Sequence, residues 1–588
     1  MQPTILLAAL TSVLVLRSHC YELTILHTND IHARIDEAHK YGGVCSASQS
    51  AAGDCVGGFA RLYTKIEEVR SQKNNVLLLD GGDQFQGTFW FYVYRGMAIA
   101  QFMKKLRYDA MALGNHEFDL GLQPLQNFIN NVTVSSGFEV LSSNIDDSNE
   151  PGLSGYLPYI VRDVGGKKIG IIGYTTTDTP TLTAVGNVGN LIFHEVVPSI
   201  RATVQVIKDV EAVDIIIALG HAGFEVDIQV AQEVDDVDIV VGGHTNTFLY
   251  TGDDLPGSEK PASTYPHVVK KNNGKTALCV QAYTFSKYLG NLSVTFNEQG
   301  DVTAWGGNPI LLDNSVPKDA EVEAMVEMYK GRVIEEGSVP IARAVVKLDA
   351  DCRKRECNFG NLVTDSWIHG NLVFGSDTKW SRASIALTNG GSIRAPIERG
   401  NITNAMLLTS LPFSNDVVAI TITGKTLKEM FENSIRSYDN EALSGRFLQM
   451  SGAQVHYDLC QPIGNRVTYL GLRCLECDIP TFEPLDLTAN YTLLTTSFIA
   501  TGGDGYDMLA KNTLAYENLG LPDASLVQEY MSTLSSVYPG EDGRVQITPE
   551  NADLSKCEDT VTQAATELKF NQLNLLSVSA AMLLYTIY

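Results

Sequence analysis

Short apolar runs rich in β-branched residues recur through the first half of the chain, at residues 23–26, 76–79, 110–113, 169–172, 215–219 and 239–241, between stretches of helical character. Continuous apolar runs of this length read as strands buried on both faces, as in parallel sheets covered by helices. Polar motifs directly follow several of them. They are Thr28-Asn29-Asp30-Ile31-His32, Gly81-Gly82-Asp83 and Gly114-Asn115-His116-Glu117-Phe118-Asp119, with His221 in Leu-Gly-His and His244 in Gly-Gly-His. Loops at strand ends are where such folds gather their chemistry, because a rigid sheet aims side chains from separate loops at one point.

The residue types in these motifs suit divalent metals. Asp30 and His32 are two apart, so in an extended loop they point the same way and can grip one ion. Asp83 has two carboxylate oxygens to share between two ions, and Gly81, Gly82 and Gly87 let the backbone bend close. Asn115 offers an amide oxygen, His221 and His244 imidazole nitrogens. Two ions about 3.5–4 Å apart orient a water, lower its pKa and stabilise attacking and leaving oxygens. Mixed nitrogen and oxygen ligands suit zinc, with manganese or cobalt as alternatives. His116 adjoins a ligand, and Asp119 can fix its tautomer and favour its cation beside a phosphoryl group. The alternative for His116 is a further metal ligand. Taken singly, each residue is as readily a core histidine or a turn aspartate. Together they read as a hydrolase of phosphate esters.

The 588 residues exceed one domain. Residues 319–336 have helical spacing and read as a connector, and new strands begin at 342–348 with a different motif set. The expected division is therefore 1–20 signal peptide, 21–316 first domain carrying the metal-type motifs, 317–338 connecting helix, 339–548 second domain and 549–588 spacer with a removed anchor signal. The formal charge of −25 argues against a nucleic-acid partner. It leaves a small anionic substrate open, since bound metals reverse the local field.

Both ends read as targeting segments. An apolar run over 5–16 suits a secretory signal. The uncharged tail 573–588 after the polar stretch 555–572 suits a GPI-anchor signal, against a short membrane helix or a hydrophobic terminal helix. Sequons at Asn131, Asn291, Asn401 and Asn490 fit a secreted or cell-surface chain. Of the 10 cysteines, Cys20 leaves with the signal, and losing Cys557 as well would restore an even number. That parity places the anchor at Asn551 or Ser555, whereas the usual spacer of about 8–12 residues places it nearer Thr562. Cys45–Cys55, Cys352–Cys357 and Cys474–Cys477 are expected local pairs, with Cys279 and Cys460 paired or free. With no second CxxC, Cys474-Leu-Glu-Cys477 reads as a disulfide rather than half a zinc site.

With these residues in place, the sequence resembles the animal ecto-5′-nucleotidase branch of the 5′-nucleotidase/apyrase family of metallophosphoesterases over essentially its whole length. The carrying motifs are Glu22-Leu-Thr-Ile-Leu-His-Thr-Asn-Asp30, Gly114-Asn-His-Glu-Phe-Asp119 and Gly242-Gly-His-Thr-Asn-Thr-Phe-Leu-Tyr-Thr-Gly252. The resemblance implies an α/β (α+β) chain: a four-layer αββα metallophosphatase domain, a connecting helix, and a second α/β domain that binds the nucleoside and rotates relative to the first. It implies one zinc on Asp30, His32, Asp83 and His244, another on Asp83, Asn115 and His221, and a catalytic dyad of His116 and Asp119.

In the second domain it points to Arg355 in Arg-Glu-Cys-Asn-Phe-Gly-Asn and to Asn389 and Arg394 in Thr-Asn-Gly-Gly-Ser-Ile-Arg. Guanidinium groups suit phosphate and ribose oxygens. Phe413 and Phe498 would stack on both faces of a purine, and Asp504 would accept ribose hydroxyls. Arg34 and Asn246 match positions near phosphate and metals. Without the resemblance, each aromatic reads as core and each arginine as a surface ion pair. Ser392 stands where the family has a third glycine, and Thr501 where it has asparagine before Gly-Gly-Asp-Gly.

The implied activity is zinc-dependent, extracellular conversion of AMP to adenosine and phosphate. An apyrase acting on ATP and ADP is the alternative within the fold. A non-catalytic secreted nucleotide binder is the alternative of another class, and the complete ligand set weighs against it. A homodimer through the second domain is typical of the anchored relatives.

Overall fold

The computed structural model describes residues 20–40, 43–133, 137–183, 186–376, 378–413, 415–438, 444–549 and 557. The signal segment up to residue 19 and the anchor candidates Asn551, Ser555 and Thr562 lie outside them.

The apolar runs of the first half form two stacked sheets. One orders its strands Val302–Gly307, Tyr288–Phe296, Tyr21–Thr28, Val76–Asp80, Ala110–Ala112 and Glu139–Leu141, with Ile310–Leu311 beside Tyr288–Phe296. The other runs His267–Lys270, Thr276–Val280, Ile239–Val241, Ile215–His221, Lys167–Thr175 and Tyr159–Val164. Strand side chains alternate between faces, so each buried strand feeds two cores. Ile215, Ile217 and Leu219 face the other sheet alongside Leu23, Ile25, Leu77 and Leu79. Ile216 and Ala218 face outward, into the core under helices Val196–Glu211 and Phe224–Glu233. Leu26 and Leu78 likewise meet helices Phe59–Gln72, Met97–Leu106 and Leu122–Thr133. The result is a helix–sheet–sheet–helix stack.

The connector forms the helix Ala320–Gly337. Asp319 caps it by accepting from the Glu321 and Val322 N–H groups, and Glu321 and Glu323 suit the positive end of its dipole. Val322, Val326 and Val333 pack into the same core as helix Phe59–Gln72. The connector is thus braced on the first body, and at its C-terminal end Gly337 meets Ala405 of the second.

The strand expected at 342–348 is the shorter Pro340–Ala344. Its partners Gly400–Thr403 and Ser536–Val537 run out at Ala344, and Leu348 keeps an isolated bridge to Ile397. The second body is centred on a five-stranded sheet ordered Leu448–Ser451, Ile385–Asn389, Asn490–Thr496, Asp416–Thr423 and Ala515–Pro522. Cores lie on both of its faces.

Cys45–Cys55, Cys352–Cys357 and Cys474–Cys477 are bonded. Cys460 pairs with Cys557 and Cys279 is a buried free thiol, which corrects the parity argument. The odd cysteine is Cys279, so an anchor at Asn551 or Ser555 would remove half of a disulfide. Closing a loop of 97 residues, that bond removes chain entropy worth roughly 5 kcal/mol from the unfolded state. The partner of Cys460 was hidden from sequence reading by this separation.

Asn401 and Asn490 are exposed, whereas Asn131 and Asn291 are half-buried. Among the described residues no helix is long and apolar enough to cross a membrane.

Candidate active site

The strands Tyr21–Thr28, Val76–Asp80 and Ala110–Ala112 are parallel neighbours, as are Ile215–His221 and Ile239–Val241 in the other sheet. Chain segments at their C-terminal ends bring Asp30, His32, Asp83, Asn115, His116, His221 and His244 together. The first two loops are zipped by backbone bonds: Asp30 N–H to Gly82 O at 2.9 Å, His32 N–H to Asp83 O at 3.0 Å, and Ala33 N–H to Gln84 O at 3.0 Å. This zipper holds non-glycine residues in left-handed backbone, with φ +51° at Asp30 and His32 and +58° at Asp83. Such conformations persist where the surroundings over-determine them, and they cluster at functional sites.

His32, Asp83 and His116 each bring a ligand atom within 4.8 Å of one another, and so do Asp83, His221 and His244. Asp83 belongs to both groups. Its Oδ2 lies 3.0 Å from His221 Nε2 and 3.9 Å from both His32 Nε2 and His116 Nε2. Asp30 Oδ1 lies 3.8 Å from His32 Nε2. The grouping differs from the expected one at His244. Its ring Nδ1 sits 2.9 Å from Asn115 Oδ1, on the His221 side, and its backbone N–H donates to Asp30 Oδ2 at 2.9 Å. The loop after Ile239–Val241 therefore sets the ring with Asp83, His221 and Asn115.

The pocket is made for positive charge. Burial disfavours the His221 cation, yet Asp83 and Asp30 draw its pKa up to about 10. Against the cost of its own burial, Asp83 is held well below the carboxylate range by His221, His116 and His32. Burial raises Asp30 to about 6. One further oxygen, Asn246 Oδ1, is buried without a hydrogen-bond partner. Two buried carboxylates, three imidazoles and amide oxygens in this arrangement fit divalent cations.

Beside this cluster stands a hydrogen-bonded pair. His116 Nδ1 lies 2.6 Å from Asp119 Oδ2, leaving Nε2 turned toward Asp83. Burial opposes the His116 cation, but Asp119 and Asp83 together raise its pKa. Gln86 Nε2 also donates to Asp119 Oδ2 at 3.2 Å, a contact that sequence reading missed, although Gln86 lies in the glycine-flanked turn after Asp83.

The second body reaches into the same place. Arg394 Nη2 lies 3.2 Å from His32 Nε2, and its guanidinium lies 5.7 Å from the Phe413 ring. Phe413 stacks on His116, with ring centres 5.6 Å apart and 27° between planes. Phe498 lies against Gly503, where an added Cβ would come within 2.5 Å of its ring. Among the described residues no ring pair joins Phe413 to Phe498. Asn389 Nδ2 donates to Asp504 Oδ2 at 2.7 Å.

Arg355 is not in this place. It is exposed and ion-paired with Asp349, Asp351 and Glu541. Arg353, two residues earlier, faces the site: burial first and Arg394 second pull its pKa down to about 10, with Asp504 opposing. The Cys352–Cys357 bond closes a tight loop in which neighbouring side chains diverge, so a run of Arg-Lys-Arg does not itself say which arginine turns inward. Arg34 donates to His32 O at 2.9 Å and lies 3.7 Å from the centre of the Phe285 ring. Burial and Arg394 hold its pKa well below the usual arginine value. Arg394 thus disfavours the charge of both Arg34 and Arg353, and guanidinium groups gathered in this way make a ready seat for an anion.

This stack of sheets, with its Asp, His and Asn side chains gathered at strand ends, is the architecture of calcineurin-like phosphoesterases, and residues 23–248 match the family described as Calcineurin-like phosphoesterase. Residues 340–511 match the family described as 5'-nucleotidase, C-terminal domain. The chain is 42% identical over 556 residues to the 5'-nucleotidase of Homo sapiens, covering 93% of this chain and 94% of that one. It is 43% identical over 535 residues to the snake venom 5'-nucleotidase of Naja atra, covering 89% of this chain and 98% of that one. Among solved structures, the 5'-nucleotidase precursor from Thermus thermophilus superposes with a TM-score of 0.81 at 36% identity, over 90% of this chain and 100% of that one. The chain belongs to the 5′-nucleotidase family and is a hydrolase.

Proposed function

We propose that the chain hydrolyses nucleoside 5′-monophosphates outside the cell, converting AMP to adenosine and phosphate. The observation that carries this reading is the approach of Arg394 and Phe413 to His32 and His116, which joins an anion- and base-binding surface to the metal-type cluster. Asp30, His32 and Asp83 would hold one zinc, and Asp83, Asn115, His221 and His244 a second, with Asn246 Oδ1 an additional oxygen donor. When bound, two such ions supply an activated water and neutralise phosphoryl oxygens.

The chain's own groups do the rest. Arg34, Arg353 and Arg394 seat the phosphate. Phe413 and Phe498 flank the base, with Phe498 brought over it as the second body turns. Asp504, oriented by Asn389, accepts ribose hydroxyls. His116, kept cationic by Asp119, faces the charge that builds on the phosphoryl group. Cleavage of the signal and a GPI anchor past Cys557, nearer Thr562, would set the site at the cell surface, with Asn401 and Asn490 as glycan acceptors. A dimer through the second domain is part of the same proposal.

Phosphate release from AMP, ADP and ATP measured in parallel tests the reading. Rapid release from AMP is expected. No release from AMP with rapid release from ADP would establish an apyrase instead, and none from any nucleotide would leave a binding protein. Arg353→Ala is expected to raise KM for AMP about 10-fold or more, since hydrogen bonds to charged groups are worth about 1.5–3 kcal/mol. Arg355→Ala should leave it within about twofold, as expected for exposed ion pairs. Steady-state kinetics of the two variants check the assignment.

A further inference from the structure

Glu117 lies inside the run that supplies Asn115, His116 and Asp119, yet its carboxylate points away from them. It is fully buried and accepts backbone N–H groups on both oxygens. Oε1 takes Gln84 at 2.8 Å and Phe85 at 3.0 Å; Oε2 takes Gly114 at 2.7 Å and Asp83 at 3.0 Å. Three of these donors line the turn that carries Asp83, and the fourth begins the loop that carries Asn115 and His116. One carboxylate therefore ties two ligand-bearing loops together through their backbones.

The space between those loops leaves no slack. A Cβ on Gly114 would lie 2.2 Å from Asp83 Oδ1 and 2.8 Å from Glu117 Oε2. Asp83 itself holds a left-handed φ of +58°, which a non-glycine residue keeps under external restraint. Asp83 Oδ1 in turn accepts the His116 N–H at 2.9 Å, so displacing the turn moves both side chains. Asp80 braces the same turn more weakly, through the Gly82 N–H at 3.0 Å and the Gln84 amide at 2.7 Å. On the far side, Asp227 acts through an intermediary. It accepts from Gln281 Nε2 at 2.7 Å, and Gln281 donates to Gly243 O at 3.0 Å, next to His244.

We propose that Glu117 is a positioning residue: it fixes the aim of the Asp83 carboxylate between the two halves of the cluster, and so sets how tightly the site holds divalent ions. This rests on the metal reading given above. Outer partners of metal ligands commonly change metal affinity 10–100-fold when removed.

Glu117→Gln keeps the shape but turns an NH2 group toward two of the four donors whichever way it lies. Glu117→Asp keeps the charge but is one CH2 short. The test measures zinc bound per chain over a series of buffered free-zinc concentrations, with far-UV circular dichroism, for the wild type, both Glu117 variants and His221→Ala. Glu117→Gln should weaken zinc binding about 10–100-fold with Glu117→Asp intermediate, and excess zinc should restore most of kcat with little change in KM. Wild-type zinc affinity in a folded Glu117→Gln variant would overturn the proposal, even if that variant melted earlier. Should Glu117→Gln fail to fold, wild-type affinity in Glu117→Asp would overturn it. If His221→Ala binds as much zinc as the wild type, the metal reading itself fails, a result distinct from either.

Discussion

Asp83→Ala is expected to reduce phosphate release from AMP by about 10³-fold or more, while far-UV circular dichroism stays native. Loss of a single well-placed electrostatic group typically costs 10²–10³ in kcat, and Asp83 serves two ligand groups at once. Its Oδ2 is 3.0 Å from His221 and 3.9 Å from His32 and His116, so no neighbouring side chain can take its place without moving the turn. The backbone zipper at Asp30–Gly82 and His32–Asp83 does not use the side chain, which is why the fold should survive. The loss of Oδ1 does leave the His116 N–H without its acceptor. Asp83→Asn retains that acceptor and removes the charge. Phosphate release near the wild-type rate in either variant would refute the assigned site.

Much of this site was legible in the sequence because the elements that build it are buried. Parallel strands covered on both faces must be apolar throughout, so the runs before Asp30, Asp83, Asn115 and His244 announced themselves. The polar residues after them each had a structural reading, but together, at successive strand ends, they had a single chemical one. What could not be read was set by side-chain direction within loops. His244 follows its strand as expected, but it sits in left-handed backbone at φ +78° and its ring joins Asn115 and His221, an arrangement that its place in the sequence does not encode. Arg353 and Arg355 are chemically identical and two apart; the Cys352–Cys357 loop turns one inward and leaves the other among carboxylates. Cys460 finds Cys557 across 97 residues, a pairing that no local spacing encodes. Glu117 stood in plain view within its motif, but its partners are backbone groups, which carry no residue signature.

His116→Ala is expected to lower kcat about 10²–10⁴-fold with little change in KM for AMP, the range for removing a positioned proton-bearing group. Asp119→Asn should fall less, about 10–100-fold, because the imidazole remains and loses chiefly the charge that keeps it protonated and aimed. Their contact is direct, at 2.6 Å, so the two effects should not add. Once His116 is gone Asp119 has nothing to orient, and the double variant should be no slower than His116→Ala alone. Zinc content separates this role from the competing one. His32, Asp83 and His116 are close enough to share an ion. A His116→Ala variant that keeps the wild-type number of zinc ions while losing turnover is what a catalytic dyad requires. Loss of one ion together with the activity would instead make His116 a metal ligand, with Asp119 as the carboxylate that orients it.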